Sequence, residues 1–352
     1  MSAAARPFRV ALSGDFRKAD GTPTFPSFDL APLLSDPAVA VTWVDPVDGE
    51  IRAADVADCD ALILLVPRFS PAGLPDGAPL RLVARFGVGY DSVDVAACTA
   101  AGIGVSITPD GVRRPVAVAV ITFVLALSQR LIAKDRLTRR GPAGWAERGS
   151  YMGTGLVGRT LGQLGLGNIG VEVMRLAAPF GLRLIAHDPY CNPGLAASLG
   201  VELVSSDELF RRSDFLSVSI PLSAETRHYV GAGRLALMQP TAFLINTARG
   251  GVVDQKALAA ALREGRLAGA AIDVFEEEPC PADDPLLALD NVIATPHAIC
   301  WTDECFAGIG AADVAAVRAV MRGEEPRVLV DRRVVDDPRW TAALAFYRSR
   351  FA

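Results

Sequence analysis

Three positions in this 352-residue chain combine the side chains that proton transfer beside an anion requires. His297 follows a short apolar run and Pro296. Arg249 follows Phe243-Leu244-Ile245-Asn246. A trio of acids, Glu276, Glu277 and Glu278, follows Ala271-Ile272-Asp273-Val274-Phe275. Imidazole changes charge near neutral pH and serves as acid or base. A planar guanidinium matches a carboxylate in two-point contact. A carboxylate beside an imidazole favours its protonated form. Singly, an arginine or glutamate after a strand is more often a solvated or capping residue. Three such groups following strands of one sheet make a catalytic constellation, because ligands of open α/β sheets bind outside the carboxyl ends of the strands. The chain has only two other histidines. His187 adjoins Asp188, and His228 lies in the polar stretch Glu225-Thr226-Arg227-His228, which reads as a surface loop.

The second chemical signal is Gly165-Leu166-Gly167-Asn168-Ile169-Gly170. A GxGxxG run is weak alone but carries weight between a strand and a helix. Gly165 suits a tight turn, Gly167 a close approach of backbone to pyrophosphate, and Gly170 tight helix–sheet packing. Amides at the helix start, from Asn168 and Ile169 onward, then face an anion. Asp188 stands 18 residues after Gly170 at the end of the next apolar run. A carboxylate there accepts from a ribose and repels the extra phosphate of NADP, which makes NAD the expected cofactor. The alternative is that Asp188-Pro189 only starts a turn. Gln163 occupies a strand position that is usually apolar, so it needs a polar partner or an exposed face.

These groups require strands to hold them. Apolar runs at 8–12, 39–44, 61–66, 82–88 and 104–107 read as strands, with a helix over 91–101 stopped by Gly102. Pro115 opens an apolar segment to about residue 132, read as a connecting helix. The Gly- and Arg-rich stretch 139–158 reads as a surface loop. A second alternation follows, with six strands at 160–164, 182–186, 215–220, 242–245, 270–274 and 292–294. Helices fall at 169–180 and 255–263, and Ser205 with Glu208 forms a capping box. A last helix spans 303–321 and ends before Gly323, and the tail 328–351 is expected to pack back on the N-terminal part. Strands alternating with helices mean doubly wound parallel sheets in an α/β protein.

Bulk properties narrow the partners. A formal charge of −5 argues against a nucleic-acid surface. Six cysteines include no C-x-x-C pair, and no His/Cys cluster has metal-ligand spacing, so no metal is expected. Cys300 and Cys305 read as packing residues. With no secretory signal, reduced thiols point to the cytoplasm. The longest apolar run, 116–127, is too short to span a bilayer and contains Thr122, so no membrane is expected.

Phe86-Gly87-Val88-Gly89-Tyr90-Asp91, the glycine run with Asp188, Asn246-Thr247-Ala248-Arg249-Gly250-Gly251-Val252-Val253-Asp254, Asp273-Val274-Phe275-Glu276-Glu277-Glu278-Pro279 and Thr295-Pro296-His297 occur in one order across most of the chain. In this the sequence resembles the D-isomer-specific 2-hydroxyacid dehydrogenases, among them phosphoglycerate, glycerate and lactate enzymes. The resemblance implies two Rossmann-like domains. Residues 109–300 would form a NAD-binding domain inserted into a discontinuous substrate domain of 1–108 and 301–352. It implies an NAD-dependent enzyme interconverting a D-2-hydroxyacid and its 2-oxoacid. Arg249 would hold the carboxylate and polarise the carbonyl, His297 would move the proton, and Glu278, the acid immediately before Pro279, would orient His297. Asp273 would meet the nicotinamide carboxamide, Pro221, Thr226 and Thr247 would border the cofactor, and amides near Val88 and Gly89 would bind the substrate carboxylate. A homodimer through the connecting helix and 139–158 is also implied.

The chain departs from the family pattern at Ser219, where histidine is common, and at Val118 and Ala119, where a Glu-His pair is common. After His297 comes Ala298-Ile299-Cys300-Trp301 in place of small residues. Trp301 reads first as a core residue, with a pocket-shaping role as the alternative. Arg68, Arg113 and Arg114 are candidate cations for a charged substrate side chain, against a reading as surface or helix-start residues. Two other functions fit the same motifs: a dehydrogenase of another small anion such as formate, which would carry glutamine at Glu278, and a NAD-sensing binding protein without turnover. The chain's length leaves no room for an added regulatory domain in this reading.

Overall fold

The computed structural model describes residues 6–351. It divides into two compact units, one made of residues up to Val112 with those from Trp301 onward, the other of Arg113–Cys300. Each unit is a parallel sheet covered by helices, as strand–helix alternation requires.

The first unit holds β1 (Phe8–Ser13), β2 (Val39–Val44), β3 (Ala61–Leu64), β4 (Leu82–Arg85) and β5 (Gly104–Ser106), in the order β2-β1-β3-β4-β5. The inner strands are continuous apolar runs because both faces are covered; all four residues of β3 are buried. The expected strand 82–88 ends at Arg85, since Gly87 takes φ +119° and turns the chain out of the sheet. The helix expected over 91–101 is shorter, Val95–Ala100, because the Asp94 side chain caps it by accepting from the Ala97 amide. The helix Pro338–Phe351 returns to this sheet, where the Tyr347 hydroxyl donates to Asp60 at 2.8 Å and its ring meets Phe8 edge-on at 5.2 Å.

The second unit holds β6 (Thr160–Leu164), β7 (Arg183–His187), β8 (Val201–Leu203), β9 (Phe215–Val218), β10 (Phe243–Asn246), β11 (Gly269–Ile272) and β12 (Val292–Ala294). Their order is β12-β11-β10-β9-β6-β7-β8, a seven-stranded doubly wound sheet whose direction reverses between β6 and β9. Apolar runs in the sequence mark six of these strands; β8 is the seventh, with three residues of which two face solvent, so no apolar run marks it. Apolar layers cover both faces. Leu209, Phe210, Leu244 and Leu258 belong to one and Val120, Phe123, Met174 and Ile245 to the other.

The connecting segment differs most from expectation. Its helix is Pro109–Ser128, so Pro115 lies inside it and does not open it. Pro115 has no N–H for the Gly111 carbonyl, and the helix continues on the strength of its buried apolar face. At 20 residues this helix is long and apolar enough to cross a membrane, which corrects the reading from the shorter run 116–127; 67% of that stretch is buried inside the protein. Past Ser128 the chain forms a separate helix, Leu131–Arg139, and the expected loop 139–158 contains the helix Pro142–Glu147.

Candidate active site

The glycine run follows β6. Gly165 takes φ +89°, a turn that side chains resist, and a Cβ there would press on Ile220 and Ser219 beyond β9. Its amide donates to the His187 carbonyl at 3.0 Å, tying the turn to the next strand. The helix Asn168–Ala177 starts at once, with Gly167 as its N-cap and no side chain capping it. Nothing lies within 4 Å of where a Gly167 Cβ would stand. The first-turn amides of Asn168, Ile169 and Gly170 thus border open space at the positive end of a helix, which fits a pyrophosphate. Asp188 accepts from the Leu166 and Tyr190 amides, each at 2.8 Å. It therefore starts a turn, as the alternative reading held, and is also fixed beside the glycine run with oxygens left to accept from a ribose. Buried hydroxyls of Ser219 and Thr247, after β9 and β10, have no partner among the described residues, so both can serve a bound dinucleotide.

Gln163 is fully buried beneath this turn, and its amide donates to the Gly165 carbonyl at 3.2 Å. The exposed face allowed for it is excluded; the glycine turn supplies the polar partner. Thr226 has its hydroxyl engaged with the Pro221 carbonyl at 2.7 Å, which shapes the loop after β9.

Three loops at the carboxyl ends of β10, β11 and β12 carry the ionisable groups. Asn246 ends β10 and locks the turn behind it, accepting from the Ala248 amide at 3.1 Å and donating to the Arg249 carbonyl at 3.0 Å. Arg249 donates to the Ala248 carbonyl at 2.7 Å. Gly250 packs against the backbone of Phe275, where any Cβ would collide. That contact joins the arginine loop to the acidic loop.

Of the three acids, Glu278 is the one that reaches His297, with Oε2 2.8 Å from Nδ1. Its Oε1 accepts from the Phe275 amide at 2.9 Å. Burial raises the Glu278 carboxyl. The His297 hydrogen bond, the Phe275 amide and the charges of His297 and Arg249 outweigh that and hold it below the usual range. Glu276 instead faces His228, at 3.3 Å. With a carboxylate on Nδ1, the proton belongs at Nδ1 and the outer nitrogen, Nε2, is the atom left to exchange protons.

His297 adopts φ +53°, a left-handed conformation rare for a side chain of its size. Asp273 maintains it. The Asp273 carbonyl accepts from the His297 amide at 2.8 Å. Its carboxylate Oδ1 accepts from the Thr295 hydroxyl at 2.5 Å and from the amides of Ala298 and Ile299 at 3.0 and 3.2 Å. Burial raises the Asp273 carboxyl above its usual range against these hydrogen bonds and the charge of His297. Asn246 and Thr295 received no role from the sequence, yet they position Arg249 and the His297 loop. The available signal was a polar residue ending an otherwise apolar strand.

The first unit holds the other substrate candidates. Val88 and Gly89 form a half-exposed turn after β4, anchored by reciprocal bonds between Gly87 and Thr108 at 3.0 Å. Arg68 is exposed after β3.

Residues 121–298 match the family model described as the NAD binding domain of D-isomer specific 2-hydroxyacid dehydrogenases. A glyoxylate reductase of Korarchaeum cryptofilum is 41% identical over 298 residues, covering 83% of this chain and 90% of that protein. Among solved structures, D-lactate dehydrogenase of Aquifex aeolicus, complexed with NAD and lactic acid, is similar with a TM-score of 0.76 at 28% identity, covering 90% of this chain and 96% of that one. An NADPH-dependent glyoxylate/hydroxypyruvate reductase of Sinorhizobium meliloti, in complex with NADP and malonate, gives 0.76 at 29% identity, over 94% and 98%. The chain belongs to the D-isomer specific 2-hydroxyacid dehydrogenase family.

Arg114 is engaged with Glu172 at 2.7 Å, which favours its reading as a structural residue. Trp301 is 52% exposed, so the core reading made from the sequence is wrong. Its ring rests edge-on against Phe25 and Phe306, and those phenylalanines fill the interior instead. Among the described residues no cluster of His, Cys, Asp or Glu suits a metal ion.

Proposed function

We propose that this oxidoreductase reduces a 2-oxoacid to the D-2-hydroxyacid, consuming one NADH and one proton, and catalyses the reverse oxidation. When bound, the nicotinamide supplies or takes the hydride at substrate C2. The chain's own groups do the rest. Arg249 clamps the carboxylate and polarises the carbonyl. Nε2 of His297 delivers the proton to the carbonyl oxygen, and Glu278 holds the ring and stabilises its charge. Asp273 keeps the His297 loop in place and offers its remaining oxygen to the carboxamide. Asn168, Ile169, Pro221, Thr226 and Thr247 border the dinucleotide, while Val88, Gly89 and Arg68 receive the substrate. The unit Arg113–Cys300 is then the NAD-binding domain and the other unit the substrate domain. The observation that carries this reading is the 2.8 Å contact of His297 with Glu278 beside Arg249, at the carboxyl ends of adjacent strands. Following NADH absorbance against a panel of 2-oxoacids tests it; binding of NADH with no turnover of any of them would refute it and favour a sensor.

Asp188 directs the cofactor choice to NAD. Its carboxylate repels a 2′-phosphate and offers it no cation. The expected preference for NAD over NADP is at least about tenfold in kcat/KM, or about 1.4 kcal/mol. Asp188→Ser narrows the gap. Equal use of both cofactors by the parent enzyme would overturn the assignment.

We also assign a homodimer to the region after Pro109–Ser128. Met152 and Val157 are 79% and 86% exposed, and Leu131 and Trp145 are exposed nearby. An open cavity of about 500 Å³, lined by Arg130, Ile132, Arg136, Tyr151, Met152 and Ile293, lies at the amino ends of the strands, away from the cofactor site. Exposed apolar side chains on these segments support a partner, here a second copy. Sedimentation is expected to give a dimer at micromolar concentration and a weaker one for Met152→Glu; a monomeric parent would contradict it. No disulfide joins the six cysteines among the described residues, which supports a reducing, cytoplasmic setting.

A further inference from the structure

We propose that the substrate's side chain is bulky and apolar, and that Trp301 is the residue that selects it. This rests on the reading of the chain as a 2-oxoacid reductase. The first sheet, β2-β1-β3-β4-β5, changes direction between β1 and β3, and ligands of such sheets bind outside the carboxyl ends at that point. The segments leaving those ends are aromatic. Phe16, Phe25 and Phe28 follow β1, and Phe86 follows β4 and directly precedes the Gly87-Val88-Gly89 turn. Phe306, in the helix Asp303–Met321, completes the group: it stacks on Phe25 at 4.0 Å and lies 5.9 Å from Phe86, while Phe16 meets Phe86 edge-on at 4.9 Å.

These five phenylalanines are buried, and Trp301 is not. Phe25 and Phe306 each hold its ring at 5.4 Å and near right angles, so the indole is displayed in one orientation with little entropy left to lose on binding. Val66, 70% exposed after β3, adds apolar surface at the same sheet edge. Its backbone is pinned, with the Val66 amide donating to Asp15 at 2.9 Å and the Leu65 amide to Ser13 at 3.1 Å. Only three residues separate Trp301 from His297 in the chain, which keeps their Cα atoms within about 14 Å of each other. Arg68 is the cation that a phosphorylated or dicarboxylic substrate would use, and it supplies the competing outcome.

The test compares kcat/KM with NADH for phenylpyruvate, 4-methyl-2-oxopentanoate, glyoxylate and phosphohydroxypyruvate. The two apolar acids are expected to exceed glyoxylate by about tenfold or more, the scale of discrimination a few buried methylenes give. Trp301→Ala lowers the phenylpyruvate-to-glyoxylate ratio by about tenfold, mainly through KM, and Trp301→Phe restores most of it. A preference for glyoxylate or phosphohydroxypyruvate, or a ratio that Trp301→Ala leaves unmoved, overturns the proposal while the reductase reading stands. Failure to reduce any of the four overturns both.

Discussion

His297→Ala is expected to lower the turnover of 2-oxoacid reduction by on the order of 10² to 10⁴, the usual contribution of a positioned acid–base group. The effect should fall on kcat. The glycine run and Asp188 lie on other strands and make no bond to His297, so NADH affinity, read by its fluorescence on titration, should stay close to the parent value. A variant that keeps full turnover would remove His297 from the mechanism. One that loses NADH binding as well would mean that the left-handed backbone at His297, held by Asp273, organises the cofactor site too.

Arg249→Ala is expected to have the next largest effect, of a different kind. The guanidinium is assigned both the ground-state carboxylate and the carbonyl oxygen that gains charge as C2 is reduced. Its loss should raise KM for the oxoacid and lower kcat by about 10² to 10³, the scale for removing one donor to a developing oxyanion. Arg249→Lys should recover little, because a point charge cannot replace a planar two-point contact. An increase in KM with unchanged kcat would confine Arg249 to substrate binding.

The sequence made much of this site legible because its signals were of two robust kinds. Strand–helix alternation gave both parallel sheets, and the helices over Gln255–Arg263 and Asp303–Met321 agree with their patterns to the residue. Catalytic groups that directly follow apolar strands fall at the carboxyl edge of a parallel sheet whatever the details between them. What escaped has physical reasons. β8 is an exposed edge strand with no apolar run. Pro115 suggested a helix start, but tertiary burial of Ala117, Val120 and Phe123 carries the helix through it. The choice of Glu278 among three adjacent acids came from family resemblance alone; geometry gives it an independent basis, since Glu276 turns to His228. The roles of Asn246, Asp273 and Thr295 in bracing the loops depend on side-chain directions that no spacing encodes.

The pair of His297 and Glu278 is the centre of the account, and the pH dependence of reduction tests it most directly. Reduction consumes a proton held by His297, so the rate falls as pH rises and the ring deprotonates. Glu278 is ionised across the neutral range, its carboxyl being held below the ordinary value, and its charge favours the protonated ring. Glu278→Gln removes that charge and keeps the shape. The alkaline limb of the kcat/KM profile for Glu278→Gln should therefore lie at lower pH than in the parent enzyme, with the profile for oxidation extending further into acid. A limb that stays in place, or moves to higher pH, would contradict the assignment of Glu278 as the partner of the catalytic acid.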